Sequence, residues 1–392
     1  MDKYIKLSQK SLTALSKIMS GNSRALHPVI KRSHGMDGIL QDLIAIPSVN
    51  GDYEQLHAIL DYCDHFMSER GLRIKRHEWN GIESMVATTK NTKTPKVMLM
   101  AHLDVVPAIP DMFVMQEKDG TFVGRGTFDM KFAAAAFLQL IEDVQDVLHQ
   151  YDFGIMFVTD EESGGFDGAF KLVQEGYLPK VIVIPDGGDN WALETFCKGI
   201  WHLTLTVNGK EAHGSRPWEG DSATQRLMDV IYEIQRIVPF AGKKGSTVNI
   251  GVFNGGDVVN KVAFEASAQL DFRLGSLEDD KRIRREVTRI CKKHHVCLSG
   301  EVYAPPQTND INDPMLHSFA KSIKNVVGIN AGETMSYAGT DARHFNEKGV
   351  PCVIVRPPGG NLHGPAEWID KKGFFQLKDV LRDYLDREAK ND

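Results

Sequence analysis

Val97-Met-Leu-Met-Ala-His-Leu-Asp104 is the stretch that decides the fold. Its first five residues form a short, continuous apolar run, which is typical of a strand covered on both faces. Three more runs of this kind occur at residues 153–158, 181–184 and 353–355. Helical patterns over residues 131–147 and 166–175 separate the first three runs. Alternating buried strands and helices predict an α/β fold around a mixed, largely parallel sheet.

The pattern changes near Gly199. Residues 201–207 and 264–272 alternate strictly between apolar and polar side chains, which predicts an antiparallel sheet with one open face. Two amphipathic helices accompany these strands, one starting at Asp221 or Ser222 and one covering about residues 277–294. We therefore expect residues 199–308 to form a small α+β domain, inserted between the two parts of the α/β domain at residues 1–198 and 309–392.

Composition excludes several classes of protein. The 392 residues include 42% hydrophobic and 25% charged residues, which is ordinary for a globular chain. A net charge of −6 argues against nucleic acid as a partner. No window holds the ~18–20 apolar residues of a membrane span, and the first 21 residues lack the apolar stretch of a secretory signal. Five scattered cysteines without a CxxC pair favour a reducing, cytoplasmic location.

Polar residues with chemical potential follow the predicted strands. His102 and Asp104 lie two residues apart, on the same side of a strand, so the carboxylate can orient the imidazole. Taken alone, such a pair is more often structural. Asp129 follows the glycine-rich turn Gly124-Arg-Gly126 and precedes a helix, where an aspartate is often only the N-cap.

Three consecutive carboxylates, Asp160-Glu-Glu162, follow the strand at 153–158. Asp186 follows the next strand, and His363 lies in a glycine- and proline-rich loop after the last one. The carboxyl edge of an open α/β sheet is where such folds build their sites. A solvated acidic loop would explain the charge at 160–162, but it would not explain the paired glycines that follow.

Mixed imidazole and carboxylate ligands suit Zn²⁺, with Co²⁺ or Mn²⁺ as substitutes. Two metals about 3.5–4 Å apart need one bridging carboxylate and further ligands for each ion. Five side chains satisfy that count: His102, Asp129, Glu162, Asp186 and His363. Glu161 is then left over beside a ligand, where a general base for the attacking water is expected.

The chain resembles the M20 family of dizinc peptidases and amidohydrolases, over nearly its whole length from Ile46-Pro-Ser48 to Glu367. The family's motifs appear in the family's order: His102-Leu-Asp104, Gly124 to Lys131, Asp160 to Gly164, Asp186, Ala212 to Pro217, Gly255 to Asn260, and His363. The resemblance implies a zinc-peptidase-like three-layer sandwich. It also implies that the inserted segment is a ferredoxin-like lid and dimerisation domain.

The resemblance assigns the ligands to two ions. It implies one metal held by His102 and Asp186, and a second held by Glu162 and His363. Asp129 would bridge the two ions, with a cis peptide bond between Asp129 and Met130. Glu161 would be the proton shuttle, and Asp104 would support His102.

The resemblance also implies substrate contacts. His213 in the lid would reach the scissile carbonyl, and in dimeric members of the family this histidine comes from the neighbouring subunit. Asn260 and Arg273 of the lid, together with Arg343, resemble substrate-binding residues of the family. Arg343 could bind a substrate carboxylate in bidentate geometry.

These observations predict metal-assisted hydrolysis of the amide bond of a small dipeptide or N-acyl amino acid. The predicted lid is short, which favours a homodimer that pairs through it. The alternative is a non-catalytic binding or assembly protein on the same scaffold, although such relatives typically lose ligands. Serine hydrolysis lacks support because the chain has no G-x-S-x-G elbow.

Overall fold

The computed structural model describes residues 35–239, 241–337 and 339–391. Its helices are α1 (Gly35–Ala45), α2 (Tyr53–Ser68), α3 (Lys131–Val144), α4 (Ala169–Gln174), α5 (Ala223–Ile237), α6 (Leu277–Lys293), α7 (Pro314–Val327), α8 (Ala342–Asn346) and α9 (Lys371–Glu388). The sequence also favours a short helix within residues 1–35, nearly all of which lie outside the described residues.

The strands are β1 (Arg73–Trp79), β2 (Ile82–Thr88), β3 (Val97–His102), β4 (Gln116–Lys118), β5 (Thr121–Val123), β6 (Phe153–Val158), β7 (Val181–Ile184), β8 (Leu193–Cys197), β9 (Gly199–Asn208), β10 (Thr247–Gly255), β11 (Glu265–Leu274), β12 (Cys297–Ala304), β13 (Gln307–Thr308), β14 (Glu333–Ser336), β15 (Cys352–Ile354), β16 (Gly359–Gly360) and β17 (Trp368–Asp370).

The central sheet has six strands in the order β1-β2-β6-β3-β7-β15. Strands β6, β3, β7 and β15 are parallel to one another, and β2 and β1 continue the sheet in antiparallel pairing. This confirms the mixed, largely parallel sheet. The sequence patterns did not reveal β1 and β2. The reason is that β1, Arg73-Ile-Lys-Arg-His-Glu-Trp79, is a charged, half-exposed edge strand without an apolar run.

One hydrophobic core surrounds this sheet. Helix α3 is buried on nearly all sides, and it packs against α1 and α9. The small side chains of Ala133-Ala-Ala-Ala136 let the neighbouring helices approach closely. A helix that is apolar on all sides is typically buried in a core. Helix α3 ends at Val144 and continues as a 3-10 turn, Gln145–Gln150, rather than as the longer helix that the sequence predicted.

Helix α4 also begins later than predicted, at Ala169 rather than near residue 166. Gly164 (φ 112°) and Gly165 (φ 64°) take left-handed conformations that interrupt a right-handed helix. Asp160 fixes this turn, because its Oδ2 accepts the backbone N–H groups of Asp167 (2.9 Å) and Gly168 (3.0 Å). The acidic stretch is therefore part of a tightly hydrogen-bonded loop rather than a solvated one.

The segment from β9 to β12 has its own antiparallel sheet, in the order β10-β11-β9-β12. Helices α5 and α6 connect the strands in the βαββαβ order of a ferredoxin-like fold, and Ser222 caps α5. A separate hydrophobic cluster lies between this sheet and its helices, where the rings of Trp201 and Phe272 are 4.9 Å apart. Within the described part of the chain, no helix is long and apolar enough to cross a membrane.

Candidate metal centre

The register of the central sheet brings the acidic loops together. Strands β3 and β6 are parallel, with Ala101 paired to Phe157 and His102 paired to Val158. The loops that follow these two strands therefore begin side by side. One loop contains Asp104, and the other contains Glu161 and Glu162. Asp186 follows β7, which is the neighbour of β3 on its other side. The prediction that these residues share one edge of the sheet is thus met by the strand pairing.

Asp129 lies between two imidazoles that are far apart in the chain. Its Oδ1 is 3.0 Å from Nε2 of His102, and its Oδ2 is 3.0 Å from Nε2 of His363. The peptide bond between Asp129 and Met130 is cis. One carboxylate oxygen directed at each histidine is the arrangement that a bridging ligand requires.

The potential ligand atoms form two groups, and Asp129 belongs to one of them. One consists of His102, Glu161 and Asp186, and the other of Asp129, Glu162 and His363. The ligand atoms of each group lie within 4.8 Å of one another. All five predicted ligands and the predicted base are thus in the two groups.

Asp104 acts mainly on the backbone of the acidic loop. Its carboxylate accepts the N–H groups of Glu161 (3.3 Å) and Glu162 (3.0 Å) and the side-chain amide of Asn50 (3.0 Å). Nδ1 of His102 is 2.9 Å from the backbone oxygen of Asp104 but 3.6 Å from its carboxylate, which is too long for a hydrogen bond. Asp104 therefore orients the ring through its carbonyl and orients the glutamates through its side chain.

Proton affinities in this cluster are strongly perturbed. Burial raises the pKa of Glu161 well above its usual range, and the negative charge of Asp186 raises it further. Burial also raises the pKa of Asp186 to about 7, with help from Asp129. The pKa of Asp129 is lowered: burial opposes its ionisation, but the hydrogen bonds from His102 and His363 outweigh that effect.

The pKa values of both histidines are also raised. Burial disfavours a charged His102, yet the neighbouring carboxylates Asp104 and Asp129 raise its pKa well above the usual range. Hydrogen bonds to Asp129 and Glu162 raise the pKa of the half-exposed His363 to about 10. The carboxylates of the cluster therefore favour bound positive charge, whether as protons on the histidines or as a cation.

The donor set fits divalent metal ions. Imidazole nitrogen and carboxylate oxygen are the ligands that Zn²⁺ takes in catalytic sites. Oε1 of Glu162 is buried and has no hydrogen-bond partner among the described residues, so one ligand atom is still available. The residues of the site therefore fit divalent metal binding by their own geometry.

Sequence reasoning missed several residues that support this site. Nζ of the buried Lys131 donates to the carbonyls of Leu43 (3.0 Å) and Ile46 (2.7 Å), which ties α3 to the end of α1. The guanidinium of Arg356 lies over the ring of Phe128, 4.1 Å from its centroid. A basic residue directly after the Asp-Met pair was the signal for Lys131, but no pattern pointed to Arg356.

His213 and Asn260, two of the predicted lid residues, belong to neither ligand group among the described residues. His213 is exposed, and its Nδ1 is 2.8 Å from Oγ of Ser215. Asn260 is also exposed, and its carbonyl accepts the N–H of Gly214 at 2.7 Å. The backbone therefore joins the two loops that carry His213 and Asn260 into one tip.

The two predicted arginines come from different parts of the chain, and the charges of both act on Cys197. Burial chiefly raises the pKa of the Cys197 thiol to about 12, and the charges of Arg343 and Arg273 both oppose that rise. Arg343 is buried and donates to the carbonyl of Gly164, directly after the acidic loop. Arg273 pairs with Asp271 at 3.0 Å. Two cationic groups thus lie near Cys197, beside the ligand cluster.

Comparison with known protein families gives an independent test. A sequence profile described as peptidase family M20/M25/M40 matches residues 98–387, from β3 to α9. The chain belongs to this family. The match includes the five predicted ligands and the whole inserted segment. Members of the M20 family are peptidases and amidohydrolases, so the chain is a metal-dependent hydrolase of this type, and the non-catalytic alternative is not favoured.

Individual relatives cover most of the chain. A probable succinyl-diaminopimelate desuccinylase from Staphylococcus epidermidis is 26% identical and covers 89% of this chain and 97% of its own. The aminoacylase-1 of Sus scrofa is 27% identical, covering 75% of this chain and 80% of its own. The crystal structure of a tripeptidase from Staphylococcus aureus matches with a TM-score of 0.73 at 24% identity, over 89% of this chain and 96% of that one. The last comparison confirms the fold.

Proposed function

We propose that this M20 hydrolase uses two Zn²⁺ ions to cleave the amide bond of a small dipeptide or N-acyl amino acid. The observation that carries the proposal is Asp129, which directs one carboxylate oxygen at His102 and the other at His363. Asp186 and Glu162 would complete the two ligand sets. Co²⁺ and Mn²⁺ accept the same ligands and are substitutes for Zn²⁺.

When bound, the metal pair would lower the pKa of a water molecule toward ~7 and polarise the substrate carbonyl. Glu161 would take a proton from the attacking water at its carboxylate and then pass that proton to the leaving nitrogen. Asp104 would hold Glu161 in place through the backbone N–H that it binds.

The substrate would carry a free carboxylate. The charges of Arg343 and Arg273 both act on the Cys197 thiol, and Arg343 donates to the carbonyl of Gly164, directly after the acidic loop. An arginine can bind a carboxylate with two parallel hydrogen bonds, which fixes its orientation. The relatives named as a probable succinyl-diaminopimelate desuccinylase and as aminoacylase-1 are consistent with small amide substrates.

Residues 199–308 would act as a lid and as the dimer contact, and residues 1–198 and 309–392 as the catalytic domain. The separate core of the inserted segment supports this division. Strand β10 is an edge strand, and apolar side chains are exposed on it and on the adjoining helix α5: Met228, Tyr232, Val252 and Phe253. Exposed apolar groups beside an open strand edge favour pairing with a second copy. In such a dimer His213 and Asn260 would come from the partner.

A cytoplasmic location belongs to the same proposal. The five cysteines form no disulfide among the described residues, and all but Cys297 are buried. Chains that keep their thiols reduced are typical of reducing compartments.

The test is hydrolysis of a panel of dipeptides and N-acyl amino acids, before and after treatment with a chelator. We expect cleavage of at least one class, loss of activity on metal removal, and recovery on addition of Zn²⁺. A fully loaded protein that cleaves nothing across a broad panel would contradict the proposal. If the chelator removes the metal and the protein keeps its full activity, that result would contradict the mechanism.

A further inference from the structure

Glu367 lies at the point where two distant parts of the metal centre meet. It is completely buried and stands four residues after His363, in the same loop. Strand β17 begins at the next residue and pairs with β5, whose last residue, Val123, is opposite Trp368. This pairing brings the carboxylate of Glu367 beneath the turn that leads to Asp129.

One carboxylate oxygen of Glu367 organises that turn. Its Oε1 accepts the backbone N–H groups of Gly126 (3.0 Å), Phe128 (2.7 Å) and Asp129 (3.0 Å). The turn is tight: Gly126 has φ of 89°, and a Cβ there would come within 2.8 Å of the Lys131 side chain. Hydrogen bonds to an ionised acceptor are about twice as strong as neutral ones. The conformation of the turn therefore depends on a charge supplied by the His363 loop.

Arg125 closes the connection from the other side. Its Nη1 donates to Oε2 of Glu367. Its Nη2 donates to the carbonyls of His363 (3.1 Å) and Gly364 (3.3 Å). The guanidinium thus binds the carboxylate and the backbone of the His363 loop at once, and the buried pair is neutral overall.

We infer that Glu367 and Arg125 are positioning residues that set the affinity of the site for its metal ions. They do so because they hold the bridging Asp129 and the loop of His363 in a fixed position relative to each other. The inference rests on the proposed function, since it assumes that Asp129 and His363 bind metal. Residues that orient metal ligands typically change metal affinity by about 10–100-fold when they are replaced. A merely structural Glu367 would instead affect stability without a specific effect on metal binding.

The experiment compares Glu367→Gln and Arg125→Lys with the wild type in the full-length protein. Glu367→Gln keeps an acceptor oxygen but removes the charge, and Arg125→Lys keeps the charge but cannot reach the carboxylate and both carbonyls together. Glu142→Gln is the matched control, because it removes a carboxylate that pairs with Arg70 away from the metal centre. Metal-free protein is titrated with Co²⁺ and followed by visible absorption, with a competing chelator to obtain dissociation constants.

We expect dissociation constants about 10–100-fold weaker for Glu367→Gln and Arg125→Lys, and no change for Glu142→Gln. Turnover should recover at saturating metal, because neither variant removes a ligand or the base. In the metal-free protein, the amide hydrogens of residues 126–129 should exchange faster in Glu367→Gln than in the wild type. Exchange is measured without metal, so it reports the turn alone.

Unchanged Co²⁺ affinity in both variants would overturn the inference, and so would an equal loss of affinity in Glu142→Gln. If Glu367→Gln does not fold, Arg125→Lys decides the outcome by the same titration. A wild type that binds fewer than two Co²⁺ ions would instead refute the proposed metal pair. The two failures are therefore distinguishable.

Discussion

The metal cluster and the tip of the inserted segment differ in how far a single chain completes them. In the cluster, Asp129 is within hydrogen-bonding distance of His102 and His363, and main-chain N–H groups hold the neighbouring carboxylates. At the tip, His213 and Asn260 are exposed, and within the described residues they hydrogen-bond to Ser215 and Gly214 of their own segment. One chain therefore brings the predicted ligands together, whereas under the proposed function the groups at the tip would reach the substrate only through a movement or from a second chain.

The largest effect on turnover is expected from replacing Glu161, the proposed base in the metal cluster. Glu161→Ala should lower turnover by about 10²–10⁴-fold, because the proton of the attacking water then has no acceptor. Metal content should stay near that of the wild type, since the five assigned ligands remain. Steady-state kinetics and elemental analysis on the same sample check both parts, and near-normal turnover would rule out this role for Glu161.

Replacing His213 at the tip of the inserted segment should also lower turnover, but by a smaller factor. His213→Ala should lower turnover by about 10²–10³-fold, as the loss of one donor to a developing oxyanion typically does. Metal affinity should not change, since His213 lies outside both ligand groups. An unaltered rate would mean that the tip has no part in the reaction.

A mixing experiment sharpens the same comparison. If His213 serves the partner's site, random mixing of inactive His213→Ala with inactive Glu161→Ala should restore about a quarter of wild-type activity, because each mixed dimer has one intact site. If His213 serves its own chain, the mixture should stay as inactive as its parts. Activity of the mixed sample after subunit exchange separates the two results.

The exposed face of the inserted segment provides the next test. Tyr232→Glu introduces a charge among the apolar groups of α5 and β10, so the proposed dimer should dissociate. Light scattering should then report a monomer with wild-type metal content and reduced turnover. Ser299→Glu on β12, the edge strand at the opposite side of this sheet, should leave the mass unchanged. A dimer that persists in Tyr232→Glu would argue against this surface.

The smallest effect concerns stability rather than catalysis. Burial, with help from Arg343, lowers the pKa of His344 to about 3. The unfolded chain therefore binds a proton at this residue below pH ~6.5 that the folded chain does not, so stability falls as the pH falls. Between pH 7 and pH 5 this group should account for a loss of about 2 kcal/mol. Urea unfolding of His344→Gln should lack that part of the loss, and an identical pH dependence in both proteins would disprove the assignment.

Sequence reasoning found the parts of the site that chain order encodes. Buried apolar runs locate β3, β6 and β7, and the polar residues at their ends, such as His102 and Asp186, then share an edge by geometry alone. Strict alternation in β9 and β11 and two amphipathic helices predicted the small α+β segment with its antiparallel sheet, whereas its ferredoxin-like order was implied by the family resemblance.

The features that escaped sequence reasoning depend on contacts between a side chain and a distant main chain. No spacing connects the Asp104 carboxylate to the N–H of Glu162, or Glu367 to the N–H of Asp129. The charged edge strand β1 and the short strands β5 and β17 have no apolar run to mark them. Their pairing is decided by the tertiary fold.

Anomalous diffraction from crystals of the zinc-loaded protein tests the central claim most directly. We expect two zinc peaks per chain, about 3.5–4 Å apart, with one carboxylate oxygen of Asp129 directed at each. His102 and Asp186 should bind one ion, and Glu162 and His363 the other. A single peak, or two peaks with Asp129 bound to neither, would contradict the account.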